Sequence, residues 1–339
     1  MTGMVHRGPH EAMKISTTAE DLQELADRAA RYADESVSPN TRRGYASDWK
    51  GFHAWCRKRD LRSLPAEPQT VALYYTYLAD AGRSYQTISR IAASIRWAHE
   101  NTIGDDGKPI DSPTHQRAVR LILRGIARTI GRAARRKKAA ATVDDVLSCM
   151  VGGLPDDVRG HRDRAVLLLG FVGAFRRSEL ASLRIEDVQL MERGATIQLR
   201  RSKTDQSGKG ATVSIPTGDT ATLCPVLALR SWLQDLLAHG VTGGYLVRGV
   251  HKSGSILEGG HTGRTVNRIV KDAAHRAGLD PKIFGAHSLR AGLATQAAIR
   301  GKNIMQIAHQ GRWERLDTVL GYYRAGAGFE ENAAKGIGL

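Results

Sequence analysis

Over residues 38–130 the apolar side chains recur at steps of three and four: Tyr45, Trp49, Phe52, Trp55 and Cys56, then Val71 to Leu78, then Ile88, Ile91, Ile95 and Trp97, then Val119, Ile122, Leu123, Ile126 and Ile130. That period lines one face of a helix and would scatter across both faces of a strand. The amino-terminal half is therefore expected to be all-helical, with four or five helices separated at Pro65 and Pro68, at Ala81-Gly82 and at the loop 104–109. Beyond residue 142 the text changes type. Helices are predicted over 142–151, 160–174, 224–239, 262–277, 290–300 and 304–308, with 195–199 and 213–215 as two strands around a polar loop. The fold class expected is mainly α with two domains, the second mixed α+β with a small antiparallel sheet. The divisions are a leader over 1–37 with a short helix opening at Thr17-Thr18-Ala19-Glu20, a helical domain over 38–134, a basic linker over 135–141, a second domain over 142–325 and a tail over 326–339.

Composition bounds the partner. With 41% hydrophobic and 25% charged residues in 339, the chain can bury sizeable cores and is not of the disordered class. A net charge of +16 favours a polyanion. The charge is concentrated: residues 117–138 hold nine Lys+Arg and no acidic residue. At about 100° per residue, Arg117, Arg120, Arg124, Arg128, Arg132 and Arg135 fall within an arc of about 120°, opposite the apolar set. A solvated helix face usually mixes signs, whereas this one repels itself unless phosphates neutralise it. Cys56, Cys149 and Cys224 show no paired spacing and are expected as reduced thiols. No run approaches a membrane span, and a soluble protein working in the cytoplasm, on the nucleoid, is expected.

Several chemistries are missing their signatures. There is no HExxH, no GxxxxGK[ST] loop and no GxSxG elbow, so no metal, nucleotide or other cofactor is expected. What remains is a set of groups able to handle a phosphate: Arg176 in FRRSELASL, Lys203 in RRSKTDQ, His287 and Arg290 in GAHSLRAG, Trp313 in QGRW, and Tyr322 in VLGYYR. Each alone reads equally as a salt-bridge partner, a cap or core.

In order and spacing together, these motifs resemble the tyrosine recombinase (phage integrase) family, with its Cre-like branch nearest. The family's Arg-x-x-Glu-Leu signature, at the end of a helix, appears as Arg176 to Leu180 with Glu179 in support. Its His-x-x-Arg motif is His287 to Arg290, and Trp313 stands nine residues before Tyr322. Trp at that position, where most members carry His, is a Cre-like trait. Residues 52–56 and 65–78 are similar to the Cre core-binding domain. The resemblance covers roughly residues 38–325 and implies a SAM-like helical core-binding domain ahead of the family's catalytic domain.

The residue types suit the chemistry implied. Two guanidines, Arg176 and Arg290, can clamp the non-bridging oxygens of a phosphodiester and stay charged at any working pH. Tyr322 supplies the nucleophilic phenol, His287 a base, Lys203 the acid for the leaving 5′-oxygen, and Trp313 an indole N–H that moves no net proton. The neighbouring Tyr323 points about 100° away if the segment is helical. By the same resemblance the helix carrying Gln86, Thr87 and Arg90, and the one carrying Arg264, enter the major groove. Thr41 and Arg43 are phosphate candidates, and Arg120, Arg124, Arg128 and Arg132 are expected to track the backbone. The partners implied are double-stranded DNA with inverted-repeat sites and three further copies of the chain, a dimer per site and a tetramer on two. The tail is a candidate for exchange between protomers. The reading is a site-specific recombinase acting through a 3′-phosphotyrosine and a Holliday junction. A telomere resolvase, a type IB topoisomerase-like enzyme and a non-catalytic DNA-binding protein are the alternatives.

Overall fold

The structure, a computed structural model, describes residues 19–131, 138–200 and 210–327. Its contacts divide the chain into two compact units, Met1–Arg135 and Arg136–Leu339.

The first unit consists of helices α1 (Ala19–Glu35), α2 (Pro39–Arg57), α3 (Pro68–Asp80), α4 (Tyr85–Glu100) and α5 (Arg117–Thr129). Two serines start helices where the sequence places polar residues ahead of apolar periods. The hydroxyl of Ser38 accepts from the Thr41 N–H at 3.2 Å and that of Ser84 from the Thr87 N–H at 3.3 Å. The three-and-four-step residues form the core: Phe52, Trp55, Val71, Tyr74, Tyr75, Ile88, Ile95 and Val119 are buried together. The amphipathic α1 leaves Leu22, Leu25 and Tyr32 exposed.

The basic helix is shorter than its composition suggests. The helical stripe expected to reach Arg135 stops at Thr129, because Gly131 takes φ +77°, the left-handed conformation that closes a helix. Arg117, Arg120, Arg124 and Arg128 are exposed on α5 while Ile122, Leu123 and Ile126 pack on the core. Arg132 and Arg135 lie outside the described residues.

The second unit opens with a π turn (Val143–Leu147) and continues through α6 (Ser148–Gly152), α7 (Val158–Val172) and α8 (Arg177–Ser182). The antiparallel sheet β1-β2-β3 follows, formed by Val188–Met191, Gly194–Leu199 and Ala211–Pro216, with Ala195 opposite Ile215 and Leu199 opposite Ala211. Next come α9 (Pro225–Ala238), the ribbon β4 (Arg248–Val250) with β5 (Ile256–Gly260), α10 (Gly263–Arg276), α11 (Ala286–Ile299), α12 (Ile304–Gly311) and α13 (Leu316–Ala327). Its uninterrupted apolar run explains why α7 is buried nearly all round, between α9 and α11. Trp232 on α9 is fully enclosed and donates its indole N–H to the Leu246 carbonyl at 2.8 Å.

The last residues of the expected linker belong to this unit. Ala141 is fully buried, its N–H donates to the Ser288 carbonyl at 3.0 Å, and the Val143 N–H donates to Gln296 Oε1 at 3.1 Å.

His161 on α7 bridges two acids, through Nδ1 to Asp235 Oδ2 at 2.7 Å and through Nε2 to Asp156 Oδ1 at 3.0 Å. Burial opposes its charge, but the bond to Asp235 and then that to Asp156 outweigh it and raise the pKa above the ordinary 6.5. A raised histidine stabilises fully below its unfolded value and loses that contribution as pH climbs through the folded one. The melting temperature of the parent over His161→Gln is therefore expected to be highest in mild acid and to shrink as pH rises past 6.5. A gap constant across that range in thermal melts would refute the assignment.

Candidate active site

Four segments of the second unit converge on one patch. The chain leaves α7 at Val172, turns through Gly173 and Ala174 (φ +44°), and meets α8 with Arg176 in extended conformation as its N-cap. Arg176 thus stands ahead of a helix, which corrects the expectation that its signature closes one. Three residues on, Glu179 reaches back. Its Oε2 accepts the Arg176 backbone N–H at 2.9 Å and its Oε1 the Arg176 Nη1 at 2.6 Å.

The helix expected over 290–300 begins earlier, at Ala286, so His287 and Arg290 stand one turn apart on α11. Arg290 is 4% exposed, donates Nη1 to the Ala174 carbonyl, and carries its guanidinium carbon 4.0 Å from the centroid of the Trp313 ring. Trp313 folds back over the end of α12, where a Cβ on Gly311 would sit 1.7 Å from the indole; only glycine admits the ring there. Tyr322 on α13 lies with its ring 6.0 Å from Trp313, and its hydroxyl is 2.8 Å from His287 Nε2. Both Tyr322 and Tyr323 pack against the small cluster around Ala294, Ala298, Ile307 and Val319, and the hydroxyl that reaches His287 is that of Tyr322.

The electrostatics are those of an anion site. Burial, then Arg176 and Arg312, pull Arg290 down to about 9, which leaves it charged at neutral pH. Partial burial of the ring, then Arg290, lowers His287, so the imidazole is neutral and able to accept. Burial raises Tyr322 against the opposing pull of Arg290, so the phenol keeps its proton at rest. For His287 Nε2 to accept from that phenol, its own proton must sit on Nδ1. Three guanidiniums, including Arg312, face the single carboxylate of Glu179.

Sequence reasoning missed Arg312. Its partner Glu179 is 133 residues away, and no local period marks it. Lys203 lies outside the described residues, between the paired strands β2 and β3. Among the described residues, no group of three or more His, Cys, Asp or Glu is placed to hold a metal ion.

The candidate DNA-contacting residues are less uniform. Arg43, Gln86, Arg120, Arg124, Arg128 and Arg264 are exposed. Thr41 and Thr87 sit in first helical turns, each sharing its hydroxyl with the capping serine. Arg90 is half exposed and paired with Asp48 on α2. Among the described residues, no helix is long and apolar enough to cross a membrane.

A guanidinium pair, a neutral imidazole and a phenol within hydrogen-bond reach of it thus stand together in this helical frame, a cationic patch with a proton acceptor beside a hydroxyl. The chain belongs to the phage integrase family, that of the tyrosine-type site-specific recombinases, whose family model matches residues 145–327. It is 33% identical to the integrase/recombinase XerD homolog of Selenomonas ruminantium, over 93% of this chain and 90% of that one. With the Cre recombinase of Escherichia phage P1 it shares 25% identity, over 86% and 85% respectively. Its fold is similar to that of a lambda integrase tetramer solved on a Holliday junction, at a TM-score of 0.56 and 16% identity, over 90% of this chain and 77% of that one.

Proposed function

We propose that this protein cuts and rejoins duplex DNA at specific sites through Tyr322. The observation that carries the reading is the 2.8 Å contact between the Tyr322 hydroxyl and His287 Nε2, beside the buried Arg290. The phenol oxygen attacks the phosphorus, its proton passes to His287, and the 5′-oxygen leaves with a proton from Lys203. Arg176 and Arg290 hold the non-bridging oxygens as charge builds on them, and Trp313 offers its indole N–H. A 3′-phosphotyrosine conserves the energy of the phosphodiester, so a 5′-hydroxyl from a second duplex reverses the step without ATP or metal. Repeating the exchange on the other strand passes through a Holliday junction. A tetramer on two inverted-repeat sites, a dimer per site, suits that sequence, and the fold shared with a tetramer on such a junction supports it. The DNA acted on is that of the cytoplasm and nucleoid. The test is covalent trapping on nicked duplexes drawn from DNA flanking the encoding gene. Adduct formation with and without chelator supports the reading, and a strict Mg²⁺ requirement for cleavage overturns it.

Arg120, Arg124 and Arg128 on α5 fit phosphate contacts, since the helix carries no acid to neutralise them. Arg124→Ala with Arg128→Ala is expected to weaken binding and to flatten the log affinity against log salt plot by about 0.9 per lost phosphate. An unchanged slope in a fluorescence-anisotropy titration would return the stripe to solvent.

A further inference from the structure

We propose that Arg312 is a positioning residue: it binds the outer oxygen of Glu179 and so leaves Arg176 oriented and electrically free to grip the scissile phosphate. The inference rests on the recombinase reading for its consequence and on geometry alone for its basis.

Arg312 follows α12 with φ +54° and ψ +47°, a left-handed backbone that a side chain other than glycine adopts only when its surroundings hold it there. Those surroundings are its own hydrogen bonds. Nη1 donates to the carbonyls of Gly173 at 3.1 Å and Gln310 at 3.0 Å, and Nη2 donates to Glu179 Oε2 at 3.2 Å and to the Ala174 carbonyl at 3.4 Å. The guanidinium carbon lies 5.2 Å from the centroid of the Phe175 ring. One head group therefore ties together the turn after α7, the first turn of α8 and the chain just ahead of Trp313.

The electrical consequence follows from counting partners. Glu179 is 2% exposed and faces Arg176 from its own helix start, Arg312 from behind α12, and Arg290 from α11. With Arg312 absent, the carboxylate would have Arg176 as its one directly bonded cation, and that ion pair would offer a phosphate little net charge. With Arg312 present, one acid is shared between two guanidiniums, and Arg176 keeps charge to spare. The carboxylate also holds Arg176 through both its backbone N–H and its guanidinium, so whatever fixes Glu179 fixes Arg176.

Arg312→Gly removes the guanidinium and relieves the backbone, so it separates the role of the side chain from that of strain. Single-turnover covalent capture on saturating nicked duplex is expected to slow about 10- to 100-fold, as when a partner that orients an active-site group is lost. Arg312→Lys, which keeps the charge but not the fork, should recover part of the rate. Thermal melts against pH give a readout independent of DNA. Burial works against the charge of Glu179, but Arg176 and Arg312 hold its pKa below 4.5, so its stabilisation is present above that value and lost as pH falls through the lower folded one. In Arg312→Gly the acid-side loss should begin at higher pH. A glycine variant with parental rate, a lysine variant no better than glycine, or superimposable acid limbs would each overturn the proposal. Should the parent itself capture no DNA, the recombinase reading fails, while the melts still decide whether Arg312 governs Glu179.

Discussion

Tyr322→Phe will still bind its DNA site but will form no covalent protein–DNA adduct. The substitution deletes one oxygen and leaves a ring that can keep its place beside Trp313, against the cluster of Ala294, Ala298, Ile307 and Val319. Binding carried by many phosphate contacts is insensitive to the loss of a single hydroxyl. The chemistry, by contrast, has nothing else to join to phosphorus at that position. Tyr323→Phe is the matched control and should keep capture. An adduct persisting in Tyr322→Phe and lost in Tyr323→Phe on denaturing gels would move the nucleophile by one residue. For the parent, capture is expected to hold across neutral pH and to decline below 6.5, as the lowered His287 takes a proton and can no longer accept one from the phenol.

Arg290→Lys should slow single-turnover cleavage by roughly 10²- to 10³-fold, the loss typical of removing one preorganised donor from the site where charge develops. The native guanidinium is buried, donates to the Ala174 carbonyl and has its carbon 4.0 Å from the centroid of the Trp313 ring. An ammonium cannot fork between a carbonyl and a phosphate oxygen, and it stacks less well on an indole. It also tends to shed its proton in a desolvated place beside other cations, so the variant should regain activity as pH falls. Quench-flow cleavage rates on one duplex, with affinity measured in parallel, test this. A lysine variant at parental rate would show that Arg290 is structural.

Much of this was legible in the residues because the relevant spacings are short. His287 and Arg290 are one helical turn apart, Trp313 and Tyr322 nine residues, and the core of the first unit follows the helical period nearly without exception. What escaped is of a different physical kind. The end of α5 depends on the left-handed backbone of Gly131, set in a run of arginines and alanines that favours helix on both sides. The ribbon of β4 and β5 is three and five residues long with an irregular register, too short for a two-residue period to declare itself. Arg312 acts across 133 residues, and only the tertiary fold brings it to Glu179. The ion pair of Arg90 with Asp48 on α2 joins residues 42 apart in sequence, which no local spacing announces.

The stretch just ahead of the π turn is stitched along α11, at Ser288 through Ala141 and at Gln296 through Val143. Of those attachments, the first lies between His287 and Arg290 in the chain. The entry of the chain into the second unit is thus fastened to the helix that carries both His287 and Arg290, ahead in sequence of the sheet and of Tyr322.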